Sequence, residues 1–179
     1  MSKLKLCFLI ICFAFITLSL VGCGTEDTID HVPLELHDGQ GNVIYYGMDR
    51  REAEALLGSG EPFMLGLYAY EVGVHIAYRN ERVVMVGAQA AGWRTASGVE
   101  IGVTTADQLQ EIYAPYLYRI FGYELHLDEH LTPLPHQEED EEWAWAYIFG
   151  FYTVWDHEND HYVVSGLSFG DRDGAIHGW

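Results

Sequence analysis

Positive charge is scarce in this 179-residue sequence, which has 9 Lys and Arg residues against 27 Asp and Glu residues and a formal net charge of −18. This balance argues against a nucleic-acid-binding protein, because neutralising phosphates requires a basic surface. Cysteine is scarce too, and the 3 present are too few for a small scaffold held by several disulfides. Apolar residues still make up 49% of the chain, which excludes an acidic disordered segment and predicts a folded domain.

Long apolar runs are absent except at the N-terminus, where one follows Lys3 and Lys5 and covers residues 6–21. Its length is below the roughly 20 residues that a membrane-spanning helix needs. Basic residues, a short apolar run and small residues after it are typical of a secretory signal peptide, here residues 1–22. A transmembrane anchor is the alternative.

The end of this run reads Leu20-Val21-Gly22-Cys23. It resembles the lipobox of bacterial lipoproteins, in which a Leu, two small residues and a Cys end the signal. The resemblance implies cleavage before Cys23 and a diacylglyceryl group on its thiol. The protein would then be anchored by its lipid on the extracytoplasmic face of the bacterial cell membrane, since two or three acyl chains hold a protein there durably.

Cleavage before Cys23 changes the composition of the chain that remains. Both lysines are lost, and seven arginines against 27 acids give a formal charge of −20. Cys23 is then the only cysteine, so no intrachain disulfide can form. Residues 23–33 are predicted to be an acidic tether, and residues 34–179 a single domain.

The start of this domain has the pattern of a hairpin followed by a helix. Strands are expected at residues 34–36 and 43–46, around a glycine-containing turn. Asp49 is a suitable N-cap, with Glu52 three residues later as its capping-box partner. Strands are expected again at 65–70, 74–78 and 83–86.

A similar helix start recurs 55 residues later, with Thr104 as the N-cap and Asp107 as its partner. The strands expected after it are 143–155 and 161–169, joined by a turn. The pattern predicts an α+β domain, an antiparallel sheet with short helices packed on one face, built from two tandem helix-loop-meander units at about 43–95 and 98–179. Units of this size bury little core alone, so they are expected to share one sheet. Chance likeness of two helix caps is the alternative.

The cap, short helix and meander resemble the tandem units of β-lactamase-inhibitor-protein-like domains and of small outer-membrane-assembly lipoproteins. The segments that carry this resemblance are 47–58, 74–86, 93–95 with Gly98, and 102–113. It implies protein binding rather than catalysis. The chain departs from the pattern at Ala114-Pro115, where a glycine is expected, and in an acidic insertion at 124–142.

Two histidine pairs raise the alternative of a metal-binding or metal-dependent protein. His157 and His161 fall in the string His-Glu-Asn-Asp-His, which matches the zinc-protease pattern in letters, but the flanking segments favour strands and Asn159-Asp160 favours a turn. A polar hairpin loop is therefore expected. His126 and His130, near His136 and the acids at 138–142, are expected in a solvated loop, with a divalent-metal site as the alternative. No cofactor is predicted, and the protein is expected not to be an enzyme.

Aromatic residues alternate before and within the penultimate strand: Trp143, Trp145, Tyr147, Phe149 and Phe151. Alternation places them on one face of the sheet. One interpretation is that this face is core. The other is that Trp143, Trp145 and Tyr147 are exposed and bind a protein or another envelope component, because Trp and Tyr dominate binding hot spots. The leading functional hypothesis is therefore a lipid-anchored, non-enzymatic binding protein; a structural spacer lipoprotein is a further alternative.

Overall fold

The computed structural model describes residues 29–63, 66–119, 122–135 and 145–173. Within these ranges no helix is long and apolar enough to cross a membrane. The elements follow one another along the chain as β1 (Glu35–His37), β2 (Val43–Tyr45), α1 (Arg50–Leu57), β3 (Glu61–Pro62), β4 (Leu67–Tyr70), β5 (Val74–Arg79), β6 (Arg82–Ala88), β7 (Arg94–Thr95), α2 (Ala106–Tyr113), β8 (Leu117–Tyr118), β9 (Tyr123–Leu127), β10 (Tyr147–Asp156) and β11 (His161–Asp171).

The strands form two antiparallel sheets. The larger has eight strands in the order β3-β4-β5-β6-β11-β10-β9-β8, and the smaller has three in the order β2-β1-β7. Within the larger sheet, the meanders β3–β6 and β8–β11 meet where β6 pairs with β11, with Val86 opposite Phe169. The two halves of the chain therefore contribute to one continuous sheet.

Both helices begin at side-chain caps. The carboxylate of Asp49 accepts a hydrogen bond from the backbone N–H of Arg51 at 2.9 Å, so the predicted N-cap of α1 is confirmed. At α2 the prediction is one residue early, since the cap is Thr105 and its capping-box partner is Gln108. Thr104 is engaged elsewhere, because its hydroxyl accepts from the backbone N–H of Glu100 at 2.9 Å.

The core lies against one face of the eight-stranded sheet. Phe149, Phe151 and Phe169 are buried on this face, with the Phe149 ring centroid 5.1 Å from that of Phe151 and 5.9 Å from that of Phe169. Tyr113 of α2 packs on Phe151 at 5.3 Å between ring centroids. The small sheet contributes Leu36 and Ile44 to the same core.

The predicted fold class is wrong: the chain is mainly β, not an α+β domain of two tandem helix-loop-meander units with helices covering one face of the sheet. Each helix has only 8 residues, and α1 buries only Ala53. Helices this short bury little apolar surface. Much of the cover comes instead from β1, β2 and the loops that bring Val99 and Ile101 into the core.

The strand predictions were more accurate than the fold class. The predicted first hairpin is present as β1 and β2, and the two long predicted strands are present as β10 and β11, although β10 begins only at Tyr147. Strand β9 was missed, because the stretch from residue 124 onward was interpreted as an irregular acidic insertion. Its signal is the alternation of Tyr123, Leu125 and Leu127, all buried, with Glu124 and His126.

Candidate binding surface

The predicted aromatic row divides between the core and its margin. Phe149 and Phe151 are buried, whereas Tyr147 is half-buried and packs edge-on against Tyr46, with ring centroids 5.2 Å apart. Trp143 lies outside the described residues. The described part of the row from Tyr147 onward therefore belongs mainly to the core, in line with the first of the two interpretations.

Trp145 does not continue this row, because the regular alternation of β10 begins only at Tyr147. Its ring stacks on that of His126 at 5.4 Å, and His126 stacks on Tyr118 at 4.2 Å. His126 is paired in the sheet with Ile148, whereas Leu125 is paired with the core residue Phe149. Because paired residues share a face, Trp145 lies on the side of the sheet opposite the core.

The structure separates the histidines of the first candidate pair. His126 is only 3% exposed within its aromatic stack, with Nε2 3.4 Å from a carboxylate oxygen of Glu124. His130 has an exposed ring and lies in the turn after β9, where its backbone N–H donates to the side chain of Asp128 at 2.8 Å. Of the two histidines, only His126 therefore lies in a strand of the sheet and packs against neighbouring rings.

The second pair lies at the β10–β11 hairpin, where residues 157–160 form the turn and His161 begins β11. Neither histidine is on a helix, and Nδ1 of His161 lies 3.1 Å from the backbone carbonyl of Asn159. Across the described part of the chain, no group of three or more His, Cys, Asp and Glu side chains is arranged to hold a metal ion. Metal binding by either histidine pair stays an untested hypothesis.

Strands β10 and β11 extend beyond the strands on either side of them. β9 pairs with β10 only over residues 147–151, and β6 pairs with β11 only over residues 167–170. The pairing of β10 with β11 continues to Asp156 and His161. We call residues 152–166 the ribbon. On its β11 side the ribbon is supported by the segment before α2, where Val163 forms a bridge with Thr105 and the N–H of Val164 donates to the carbonyl of Thr104 at 2.9 Å.

Three large side chains near the end of the ribbon are exposed: Val154 by 52%, Tyr162 by 48% and Trp155 by 36%. Trp155 and Tyr162 are paired across the strands, and their rings meet edge to face with centroids 4.9 Å apart. Val154 points to the other side, as alternation along a strand requires. The end of the ribbon thus presents apolar side chains on both sides.

The turn at the end of the ribbon is held by the carboxylate of Asp156. One oxygen accepts from the backbone N–H of Glu158 at 2.9 Å, and the other accepts from the side-chain amide of Asn159 at 2.8 Å. These hydrogen bonds, led by the one from Asn159, lower the pKa of Asp156 below its usual value. Asp160 completes the turn with a φ of 57°, a conformation that Asp tolerates better than most residues. The exposed side chains are therefore carried by a well-defined hairpin.

A small pocket lies beside the first described residues, lined mainly by Ile29, Val32, Pro33, Ile112 and Tyr113, with a volume of about 130 Å³. This is below the roughly 300 Å³ at which small-molecule sites usually begin. Hydroxyl groups at its edge form a chain in which Ser97 bonds both Tyr113 and, at 2.8 Å, Thr95. Burial raises the pKa of Tyr113, so this chain is neutral at ordinary pH and links β7 to α2.

No protein-family model, curated protein or solved structure matches this chain. The resemblances to bacterial lipoproteins and to β-lactamase-inhibitor-protein-like domains stay predictions, and Cys23 lies outside the described residues.

Sequence reasoning located the strands of the ribbon but not its exposure. The alternation in 152–155 is the same whether the strand is covered or projects. What exposes Val154 and Trp155 is the early end of the pairing between β9 and β10, which depends on the length of a neighbouring strand that the sequence pattern did not reveal.

Proposed function

We propose that this protein is a lipid-anchored lipoprotein of the extracytoplasmic face of the bacterial cell membrane, and that it binds a protein partner through the ribbon rather than acting as an enzyme. The single observation that carries the binding role is the exposed pair of Trp155 and Tyr162 on a braced, projecting hairpin, with Val154 exposed on the opposite side. The anchoring role rests on the Leu20-Val21-Gly22-Cys23 sequence.

The chemistry of the cluster supports binding. Trp and Tyr are enriched among residues that dominate interface energetics, because they bury a large rigid surface at low entropic cost. The hairpin already holds Trp155 and Tyr162 in mutual contact, so little ordering remains to be done on association. We place the proposed surface at the ribbon because Tyr147 packs on Tyr46 and Trp145 on His126. Binding through Trp143, Trp145 and Tyr147 stays a prediction, since Trp143 lies outside the described residues.

Two buried ionisable side chains, His126 and Asp171, make contacts that support a structural role for them rather than a catalytic one. His126 is stacked between two aromatic rings. Asp171 accepts a hydrogen bond from Tyr46 at 2.8 Å and pairs with Arg79. Each of these contacts joins two separate segments of the chain.

Site-specific photo-crosslinking in living cells tests the binding role. A photoreactive residue at position 154 is expected to give one adduct of defined mass, and the same residue at the exposed position of Phe63 gives none. Phe63 is a matched control because it is an exposed apolar residue, 49% accessible, that follows the edge strand β3, four strands away from β11 in the large sheet.

The adduct at position 154 is expected to disappear when Trp155→Ala and Tyr162→Ala are combined, because a partner that contacts both sides of the hairpin loses its aromatic contacts on the side opposite Val154. An adduct of equal yield at Phe63, or one that survives the double change, contradicts the proposed surface. Circular dichroism of the double variant checks that the sheet is retained.

A further inference from the structure

We infer that the ribbon binds a cationic, apolar segment of a protein, one that places Lys or Arg side chains beside aliphatic or aromatic ones. This inference rests on the proposed function and adds the chemical class of the partner. It comes from the placement of charge around Val154, Trp155 and Tyr162.

The end of the ribbon carries charge of one sign. Asp156, Glu158 and Asp160 follow one another in and next to the turn, and the sequence has no Lys or Arg between Arg119 and Arg172. Glu158 and Asp160 are exposed. The lowered pKa of Asp156 keeps that carboxylate ionised as well. The apolar cluster is thus bordered by carboxylates.

The arginines at either end of that interval are too far away to balance these carboxylates. Arg172 follows Asp171, which pairs with Tyr147, and Asp156 lies nine positions further along β10 than Tyr147, about 30 Å at 3.4 Å per residue. Arg119 lies over the ring of Tyr123, whose partner Phe151 is about 17 Å from Asp156 on the same scale. Both distances exceed the Debye length of about 8 Å at physiological ionic strength.

The element beside the ribbon adds more negative charge. The segment before α2 contacts Val163 and Val164, and α2 then presents exposed Asp107 and Glu111. The nearest arginine in sequence before this segment is Arg94, ten residues before Thr104. The surroundings of the ribbon therefore extend the acidic border rather than interrupt it.

The acidic border distinguishes between two kinds of partner that exposed Trp and Tyr side chains can bind, a lipid surface and a protein. A lipid surface suits the aromatic rings, but anionic headgroups are repelled by the carboxylates. A basic protein segment satisfies both features, since its cations meet the acidic border and can also lie over the faces of Trp155 and Tyr162. Of the two classes, the observations favour the protein.

The test uses the full lipoprotein in detergent and two labelled probe peptides of equal length, one alternating Lys and Leu and the other alternating Glu and Leu. We expect the Lys-Leu peptide to bind and the Glu-Leu peptide not to. The charge variant combines Glu158→Gln with Asp160→Asn, which keeps the turn because Asn tolerates the conformation of Asp160 and Asp156 is unchanged. Loss of two exposed carboxylates is expected to weaken binding of the Lys-Leu peptide roughly fivefold.

The matched control combines Glu61→Gln with Glu71→Gln, which removes the same net charge from exposed positions in the first half of the sheet. It is expected to bind as the parent does. Equal weakening in the control, or no weakening in the charge variant, overturns the cationic partner. Thermal unfolding of both variants establishes that they remain folded.

Two further outcomes separate this inference from the proposed function. In one outcome the position-154 adduct forms in cells and disappears in the Trp155→Ala, Tyr162→Ala variant, but its yield is unchanged in the Glu158→Gln, Asp160→Asn variant. Protein binding through the ribbon then stands, and the cationic class of the partner is overturned. If Cys23→Ala protein co-floats with phosphatidylcholine vesicles in a way that depends on Trp155, the ribbon is a lipid contact and both proposals are overturned.

Discussion

Tyr46 shows how one side chain connects distant parts of this chain. Its hydroxyl donates to a carboxylate oxygen of Asp171 at 2.8 Å, 125 residues away, and that carboxylate also pairs with Arg79. Burial and the contact with Asp171 raise the pKa of Tyr46 above its usual value. The neutral, donating form of the phenol is the one the fold requires.

The raised pKa predicts a loss of stability in alkali. A group whose folded pKa lies above its unfolded value, about 10 for Tyr, contributes fully below that pH and loses its contribution as the pH rises through the folded pKa. We expect the free energy of unfolding to fall above about pH 10, and to fall less steeply in Tyr46→Phe. Urea unfolding at a series of pH values measures this.

Tyr162→Phe is the control for that series, because Tyr162 lies on the exposed ribbon. If Tyr46→Phe and the parent lose stability with the same slope above pH 10, the hydroxyl of Tyr46 is not the source of the alkaline sensitivity.

At the scale of elements, α2 depends on its N-terminal cap. The hydroxyl of Thr105 accepts from the backbone N–H of Gln108 at 3.2 Å, and the Gln108 side chain accepts from the backbone N–H of Thr105 at 2.9 Å. The cap also lies where the chain before α2 meets the ribbon, through the bridge from Thr105 to Val163. One residue therefore supports both the helix and the hairpin beside it.

Thr105→Ala is expected to lower the free energy of unfolding by about 1 kcal/mol, the usual effect of removing such a cap. Thr105→Ser retains an accepting hydroxyl and is expected to keep most of that stability. Chemical denaturation of the two variants measures the difference. Equal destabilisation by Ala and Ser assigns the effect to the lost methyl group and contradicts the capping role.

The sequence predicted single elements where local chemistry determines them. The N-cap at Asp49 was predictable because its signal lies within four residues. The cap of α2 was placed one residue early although a local signal distinguishes the two threonines: Gln108 lies three residues after Thr105, the spacing of a capping box, whereas Asp107 follows Thr104 at that spacing. β9 was missed because Glu124 begins an acidic stretch that hides the buried Leu125 and Leu127. The ribbon was predicted as two strands, but its exposure depends on where β9 and β6 stop pairing.

At the scale of the molecule, the predicted fold class was wrong because sequence patterns show how many helices and strands a chain has. They do not show how much apolar surface each element buries, and packing depends on that area. Two helix signals with strong caps predicted an α+β domain. Their 8 residues each bury little, and Leu36 and Ile44 of the small sheet cover the core beside them. The local sequence pattern around β1 and β2 did not indicate that these strands form a second sheet with β7.

Lipid attachment at Cys23 is a prediction about the whole molecule. If the lipobox resemblance holds, Cys23→Ala moves the protein from the membrane fraction to the soluble fraction, because no acyl chain remains to hold it. Cys12→Ala is the matched control, since that cysteine lies within the predicted signal and its loss leaves the anchor intact. Cell fractionation followed by immunoblotting measures where each variant is found. Cys23→Ala protein that stays in the membrane fraction contradicts lipid anchoring through Cys23.

The pairing of β6 with β11, which joins the two halves of the large sheet, has a consequence for the synthesis of the chain. β6 ends at Ala88 and β11 begins at His161, so the first meander emerges from the ribosome more than 70 residues before its neighbour in the sheet exists. During that interval Val86 and Ala88, both buried in the finished protein and both paired with β11, belong to an open strand edge, the kind of surface that pairs with other chains. Nascent chains stalled before β11 should therefore be the most prone to aggregate, and protection of this edge should depend on how soon the last strand arrives.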